Sequence, residues 1–283
     1  MKDKLFHAIM LTCAVLMPLI CGGMVLSLAT DAYEAFNHFG FLNFLTSSEW
    51  DYNGTNEQYG ALPFITGAVI TTILALVICV PFSLPVSLFV GEYFRGTRVA
   101  CILNTVLELL AAIPSIIYEL WGFHMLEPII MSFNMSPENT CVLTAAIVLA
   151  IMIIPYASSL SSEFIKMVPA DLKESAYSLG ATSADIIKRV IFPIAGSGIF
   201  SSYVLAIGRA LGETLTVTIL IGNTSKIPET STSNSMASIL ANQFGDAEGL
   251  RLSSLIAIGL ILFLITAVIN LAGKMMIKHA RIS

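Results

Sequence analysis

Charge is what this sequence has least of. Of its 283 residues only 12% are Asp, Glu, Lys or Arg, against about a quarter in a soluble domain. With 56% hydrophobic residues and a mean hydropathy of +0.83, a water-soluble globular fold is excluded. Cysteine is also sparse and odd in number. Cys13, Cys21, Cys79, Cys101 and Cys141 form no C-x-x-C pair, so metal and disulfide roles are set aside and the thiols read as small apolar residues. No G-x-x-x-x-G-K-[ST] segment occurs, so the chain has no usual loop for cradling ATP phosphates. Residues 30–61 lack Lys and Arg altogether while holding Asp31, Glu34, Glu49, Asp51 and Glu57. No internal repeat stands out.

What is present is a set of long uncharged runs: 5–30, 58–91, 139–162, 190–208 and 252–273, with 99–122 interrupted by Glu108 and Glu119. About 20 apolar residues span a ~30 Å hydrocarbon core, so each run suffices. The fifth is expected to continue past Arg209 to about Gly222, because its far half is again apolar. Lipid cannot satisfy an open backbone, which makes these spans helices. The expected class is an all-α membrane protein with six transmembrane helices. The first apolar run exceeds the core of a signal peptide and no A-x-A site follows, so a retained helix over Leu5–Ala29 is predicted.

If the N-terminus is placed in the cytoplasm and the sides alternate, eleven basic residues fall inside: Lys2, Lys4, Arg95, Arg98, Lys166, Lys173, Lys188, Arg189, Lys274, Lys278 and Arg281. Only Lys226 and Arg251 fall outside, a clear positive-inside bias. In the first outer loop Trp50, Tyr52 and Tyr59 suit an interfacial aromatic belt, and Phe36, Phe39, Phe41 and Phe44 suit a short helix on the membrane surface. The second span carries Pro63, Pro81 and Pro85, which neighbouring helices or hydroxyls can accommodate.

One polar interruption, Lys173–Pro193, is predicted to be cytoplasmic. Pro169 suits a first helical position and Asp171 the first turn, where the helix dipole favours an anion. Leu172, Ala176 and Leu179 recur at helical spacing, and Gly180 is expected to stop the run as a left-handed cap. Thr182-x-x-Asp185 reads as a capping box for a second helix over Ile186–Phe192, which Pro193 closes or hands on. A solvated connector would share this pattern.

Arg209 and Glu213 lie in the middle of the fifth apolar segment. An ionised side chain at mid-bilayer costs at least ~2.5 kcal/mol, so both must face a bundle interior or a wet cavity. A spacing of four places them on one helical face, with Ser202 and Thr216 on the same stripe. Gly208 and Gly212 would let another helix approach. Two readings stand: a buried ion pair fixing register or a subunit interface, or a guanidinium that meets an anionic solute in transit while Glu213 tempers it. Glu108 is the other mid-span acid, a partner for Arg209 or a hydroxyl, or part of the pathway.

Glu174-Ser175-Ala176, Gly180 and Val190–Pro193 together resemble the E-A-A-x3-G-x9-I-x-L-P loop of ABC importer permeases. Ser175, Val190 and Phe192 are modest departures from it. The segments Tyr59–Phe64, Glu108–Ser115 with Trp121-Gly122, and Gly208–Thr214 resemble phosphate-specific permeases of the PstC type, and the likeness runs from about Tyr59 to Lys274. Glu119 departs from the small residue usual there, which bears on the outer mouth.

The resemblance implies a type I importer permease fold. Its transmembrane domain would cover 61–275, with coupling loop 161–193, after an N-terminal helix and external loop (1–60) and before a tail (276–283). It further implies a pore for inorganic phosphate, shared with a PstA-type sister permease in a prokaryotic inner membrane and supplied by an external PstS-type binding protein. Arg209, Glu213, Glu108 and Thr216 would line the pathway. Glu174, Ser175, Ala176, Gly180 and Pro193 would couple to two PstB-type ATPase subunits, which would hold the ATP and Mg. This chain would itself be no enzyme, bind no cofactor or metal, and meet lipid but no nucleic acid. The alternatives are the sister subunit itself, a permease for molybdate or sulfate, an ion-gradient-driven transporter, and a membrane anchor or sensor.

Overall fold

The computed structural model describes residues 2–51, 57–132, 142–214, 218, 220 and 234–280. Among the described residues five continuous helices are long and apolar enough to cross a membrane, and a pair bent by 88°, Arg98–Ala112 with Ser115–Ser132, makes a sixth when counted as one span. Helix α1 (Lys2–Phe39) has 38 residues, about 57 Å at 1.5 Å per residue. It therefore runs ten residues beyond the expected end. Its latter half docks on α12 (Gly249–Ala280), where the Ser253 hydroxyl accepts from the Ala35 N–H at 3.0 Å and donates to the Asp31 carbonyl at 2.7 Å. Its earlier half stands bare, with Leu11, Met17 and Leu19 exposed as lipid contact requires.

The phenylalanines expected on one surface helix are split by Gly40, whose φ of 77° ends α1 before α2 (Phe41–Thr46) begins. They fold into a packed aromatic cap. Phe36 meets Phe44 edge-on at 5.6 Å, and Trp50 meets Tyr59 at 4.9 Å and Phe64 at 5.1 Å. Two short strands, β1 (Trp50–Asp51) and β2 (Gln58–Tyr59), pair antiparallel beneath them. Trp50 and Tyr59 are thus buried core residues and not a belt, while Tyr52 lies outside the described residues. The Tyr59–Phe64 motif has a packing cause: Tyr59, Ala61 and Phe64 are buried, and a side chain at Gly60 would strike the Ser47 carbonyl. Burial, then the Glu57 carboxylate, pushes the Tyr59 phenol up to about 12, so it stays protonated and donates to Glu57 Oε2 at 3.3 Å.

Helices α3 (Leu62–Leu88), α7 (Val142–Lys166) and α10 (Phe192–Leu211) form the centre, with α12 against α10 and the short α11 (Met236–Gln243) against α12. Their contacts are made by small residues. Ala145, Ala146, Ala150 and Ala157 are buried along α7, and Ser83, Ser158, Ser161 and Ser202 are fully buried around them. Small side chains let backbones approach where no aqueous hydrophobic drive exists. Hydroxyls tie the helices together: Ser83 to Tyr203 at 2.9 Å, Ser158 to the Ser83 carbonyl at 3.3 Å, Ser201 to the Gly273 carbonyl at 3.1 Å. Pro81 and Pro85 sit within α3 without ending it.

The third span is broken. Helix α4 (Arg98–Ala112) ends before Ile113, whose ψ of 128° is the extended state a following proline imposes. After Pro114 the chain turns by 88° into α5 (Ser115–Trp121). The Tyr118 hydroxyl donates at 2.8 Å across the bend to the Leu110 carbonyl, which also accepts from the Ile113 N–H at 3.3 Å. Helix α5 passes through a π-helical turn (Gly122–Leu126) into α6 (Glu127–Ser132), longer than the sequence suggested.

Candidate functional site: a polar knob and an intramembrane guanidinium

The polar loop folds as two capped helices. Helix α8 (Ala170–Ser178) follows Pro169, which serves as its N-cap residue rather than its first helical one. Gly180, at φ 83°, closes it with a Schellman pair, the Gly180 N–H to Tyr177 O at 2.9 Å and the Ala181 N–H to Ala176 O at 3.1 Å. The Thr182–Asp185 capping box is present in both directions at the start of α9 (Ser183–Ile186). No break follows. A π-helical turn (Ile187–Ile191) carries α9 directly into α10, and Pro193 hands over within that helix's first turn.

Glu174, Ser175, Gly180 and Pro193 are exposed, and Ala176 rests at the edge of the core. The apolar stripe of α8 faces outward. Met167, Leu172 and Tyr177 are exposed and Leu179 is 90% accessible. The one buried side chain of α8 is Lys173, ion-paired to Glu92 in the π-helical turn Phe89–Tyr93 that ends α3. Sequence reasoning missed this pair, because the two residues stand far apart in the chain and each reads alone as a loop charge. The Arg189–Asp185 contact, at 3.9 Å and well exposed, contributes little.

The fifth expected span is interrupted at Gly212. Helix α10 ends at Leu211 with Gly212 as its C-cap residue, and the N–H groups of Gly212 and Glu213 bond one turn back to Arg209 O (3.1 Å) and Ala210 O (3.3 Å). The Thr218 N–H resumes i−4 bonding to Thr214 O at 3.2 Å. Arg209 and Glu213 therefore flank a helix break instead of sharing a stripe. Thr216 lies outside the described residues. Ser202 is wholly buried and bonds back to the Gly198 carbonyl at 3.0 Å, so it belongs to packing.

Arg209 occupies the last turn of α10, where the dipole favours a cation. Its Cζ lies 5.5 Å from the centroid of the Tyr156 ring on α7. Among the described residues it forms no ion pair within 4.0 Å. Tyr156 carries no charge and was not legible as a partner. Glu108 is exposed on α4 and accepts from the Asn104 amide, one turn back, at 2.8 Å. Gly208 does admit a neighbour: a Cβ there would fall 2.5 Å from Asn270 Oδ1 of α12. Gly212 meets only its own helix. Glu119 is fully buried on α5.

The sequence profile of the family described as "Binding-protein-dependent transport system inner membrane component" matches residues 83–282. Two bacterial relatives described as "Phosphate transport system permease protein PstC" are each 38% identical. That of Pasteurella multocida aligns over 94% of this chain and 88% of its own length, and that of Mesorhizobium japonicum over 99% and 91%. A "Probable phosphate transport system permease protein PstC" of Methanocaldococcus jannaschii is 32% identical over 89% and 86%. Among solved structures, a bacterial ABC transporter that imports the polysaccharide alginate superposes with a TM-score of 0.67 at 18% identity, covering 99% of this chain and 96% of that one. The inward-facing MetNI methionine transporter gives 0.61 at 15%, over 78% and 95%. These establish a type I importer permease fold. With the apolar spans and the loop geometry, they show that this chain belongs to the binding-protein-dependent transport system inner membrane component family, among phosphate transport permeases of the PstC type.

Proposed function

We propose that this chain is the permease subunit of an ATP-driven importer of inorganic phosphate. Members of its family work beside a partner permease and ATPase subunits in the inner membrane. The finer assignment is a PstA-type sister permease, two PstB-type ATPases holding ATP and Mg, and an external PstS-type binding protein. Near-full-length likeness to PstC permeases carries the reading. The broken end of α10 supports it, because it leaves a guanidinium on an aromatic face with donors to offer an oxyanion. Arg209, Glu213, Thr216 and Glu108 are the proposed pathway residues; Glu108, an exposed acid in an apolar span, needs a wet or protein-covered neighbour.

The basic end carrying α8 is assigned to the cytoplasm, with both termini there. The importer domain is taken as 61–275, after the first helix and outer loop. The outward-turned Met167, Leu172, Tyr177 and Leu179 suit an ATPase cleft, with Glu174, Ser175, Ala176, Gly180 and Pro193 shaping the knob.

Uptake of radiolabelled phosphate by cells that have this chain as their sole permease of its type tests the assignment. Uptake should depend on ATP and withstand excess sulfate and molybdate. Displacement by either anion would reassign the solute. Leu179→Asp should abolish co-purification of the ATPase with the permease, and native recovery would refute the docking face.

A further inference from the structure

Helix α8 has nine residues, and its single buried side chain is of the wrong kind for a packing contact. Lys173 is 7% exposed, with its Nζ on Glu92 Oε2, and the Glu92 side chain is 15% exposed. Of the apolar residues that would ordinarily hold such a helix down, only Ala176 touches the core, while Leu172 and Tyr177 face away from the bundle. Glu92, by contrast, sits on a rigid mount. In the same π-helical turn Gly91 lies so close to α7 that a Cβ would come within 2.8 Å of Ile165 Cγ2 and 3.1 Å of the Ser162 carbonyl. Helix α3 then packs along α7, which carries the Tyr156 ring beneath Arg209.

A desolvated ion pair contributes little net stability compared with apolar residues of the same size, but it is directional, and removing one partner strands a charge. Such a contact suits positioning better than cohesion. We propose that Lys173 and Glu92 form the strut that passes displacement of α8 to α3, and through the α3–α7 contact to the aromatic seat of Arg209. This rests on the reading of α8 as the element docked on the ATPase. The two are positioning residues: neither touches solute or nucleotide. Contiguity alone does not establish transmission, so the proposal stands or falls on measured coupling.

The test uses the complete importer reconstituted in vesicles, with phosphate uptake and ATP hydrolysis measured together. Lys173→Glu and Glu92→Lys each set like charges together. Each should leave the ATPase bound and hydrolysing while phosphate moved per ATP falls roughly tenfold, within the usual range of coupling between sites. Combining the two restores an opposite pair in reversed order and should return the ratio to within about threefold of native. Native ratios in both single variants, or a double variant as uncoupled as the singles with its ATPase in place, would overturn the strut. Should the charge reversals prevent assembly, the neutral double variant Lys173→Met with Glu92→Gln decides: a low ratio supports the strut and a native ratio overturns it. Retention of the ATPase by Leu179→Asp would instead remove the docking reading beneath it, so the two failures are distinguishable.

Discussion

A guanidinium stacked on a ring keeps its N–H edge free, whereas one clamped by a carboxylate has spent it. Arg209 has the Tyr156 face at 5.5 Å, and Glu213 stands beyond the helix end at Gly212. The planar fork matches two oxyanion oxygens at once, which an ammonium cannot do. Arg209→Lys should therefore lower phosphate uptake by about tenfold with complex abundance unchanged, since charge-assisted bonds contribute about 1.5–3 kcal/mol. Arg209→Ala should abolish uptake, and normal transport by it would exclude this residue from the pathway. The sequence marked Arg209 because a charge in an apolar run is conspicuous. It could not mark Tyr156, whose ring is one apolar residue among many in α7.

At the scale of elements, legibility followed the range of the forces involved. The caps of α8 and α9 were readable because Gly180, Thr182 and Asp185 act within a few residues of themselves. Gly180→Val should cost about 1–2 kcal/mol, the penalty for a side chain in the left-handed region. Hydrogen exchange of the amides around the cap should then rise roughly tenfold; unchanged exchange would contradict the cap's role. The bend at Ile113–Pro114 had a local signal in the proline, but the uncharged run across it concealed the break. The stop at Gly212 was hidden for the same reason. Close approach was not readable at all: Gly198 faces the Phe164 ring of α7, a fact no spacing encodes. Gly198→Val should cost about 1–3 kcal/mol through overpacking, seen as a lower melting temperature of the detergent-solubilised protein.

For the molecule as a whole, composition and the lengths of the apolar runs were enough for the candidate spans and the membrane class, because the bilayer constrains length and polarity over the entire chain. The aromatic cap escaped that logic, since Trp50 and Tyr59 serve equally well at an interface or in a core, and only packing decides between them. Sidedness has a direct check. A cysteine at Glu57 in a chain cleared of its native cysteines should react with an impermeant maleimide from outside in intact cells. One at Ser178 should react only after the membrane is opened, and the reverse pattern would invert the proposed orientation. The outward-turned stripe of α8 also bears on manufacture. A copy made in excess of its companions presents Leu179 and its neighbours to water as an uncovered greasy protrusion, a recognisable handle for the proteases that clear orphan subunits. Subunit ratios would then be corrected after synthesis, and pulse–chase should show a shorter lifetime for this chain when the ATPase is withheld.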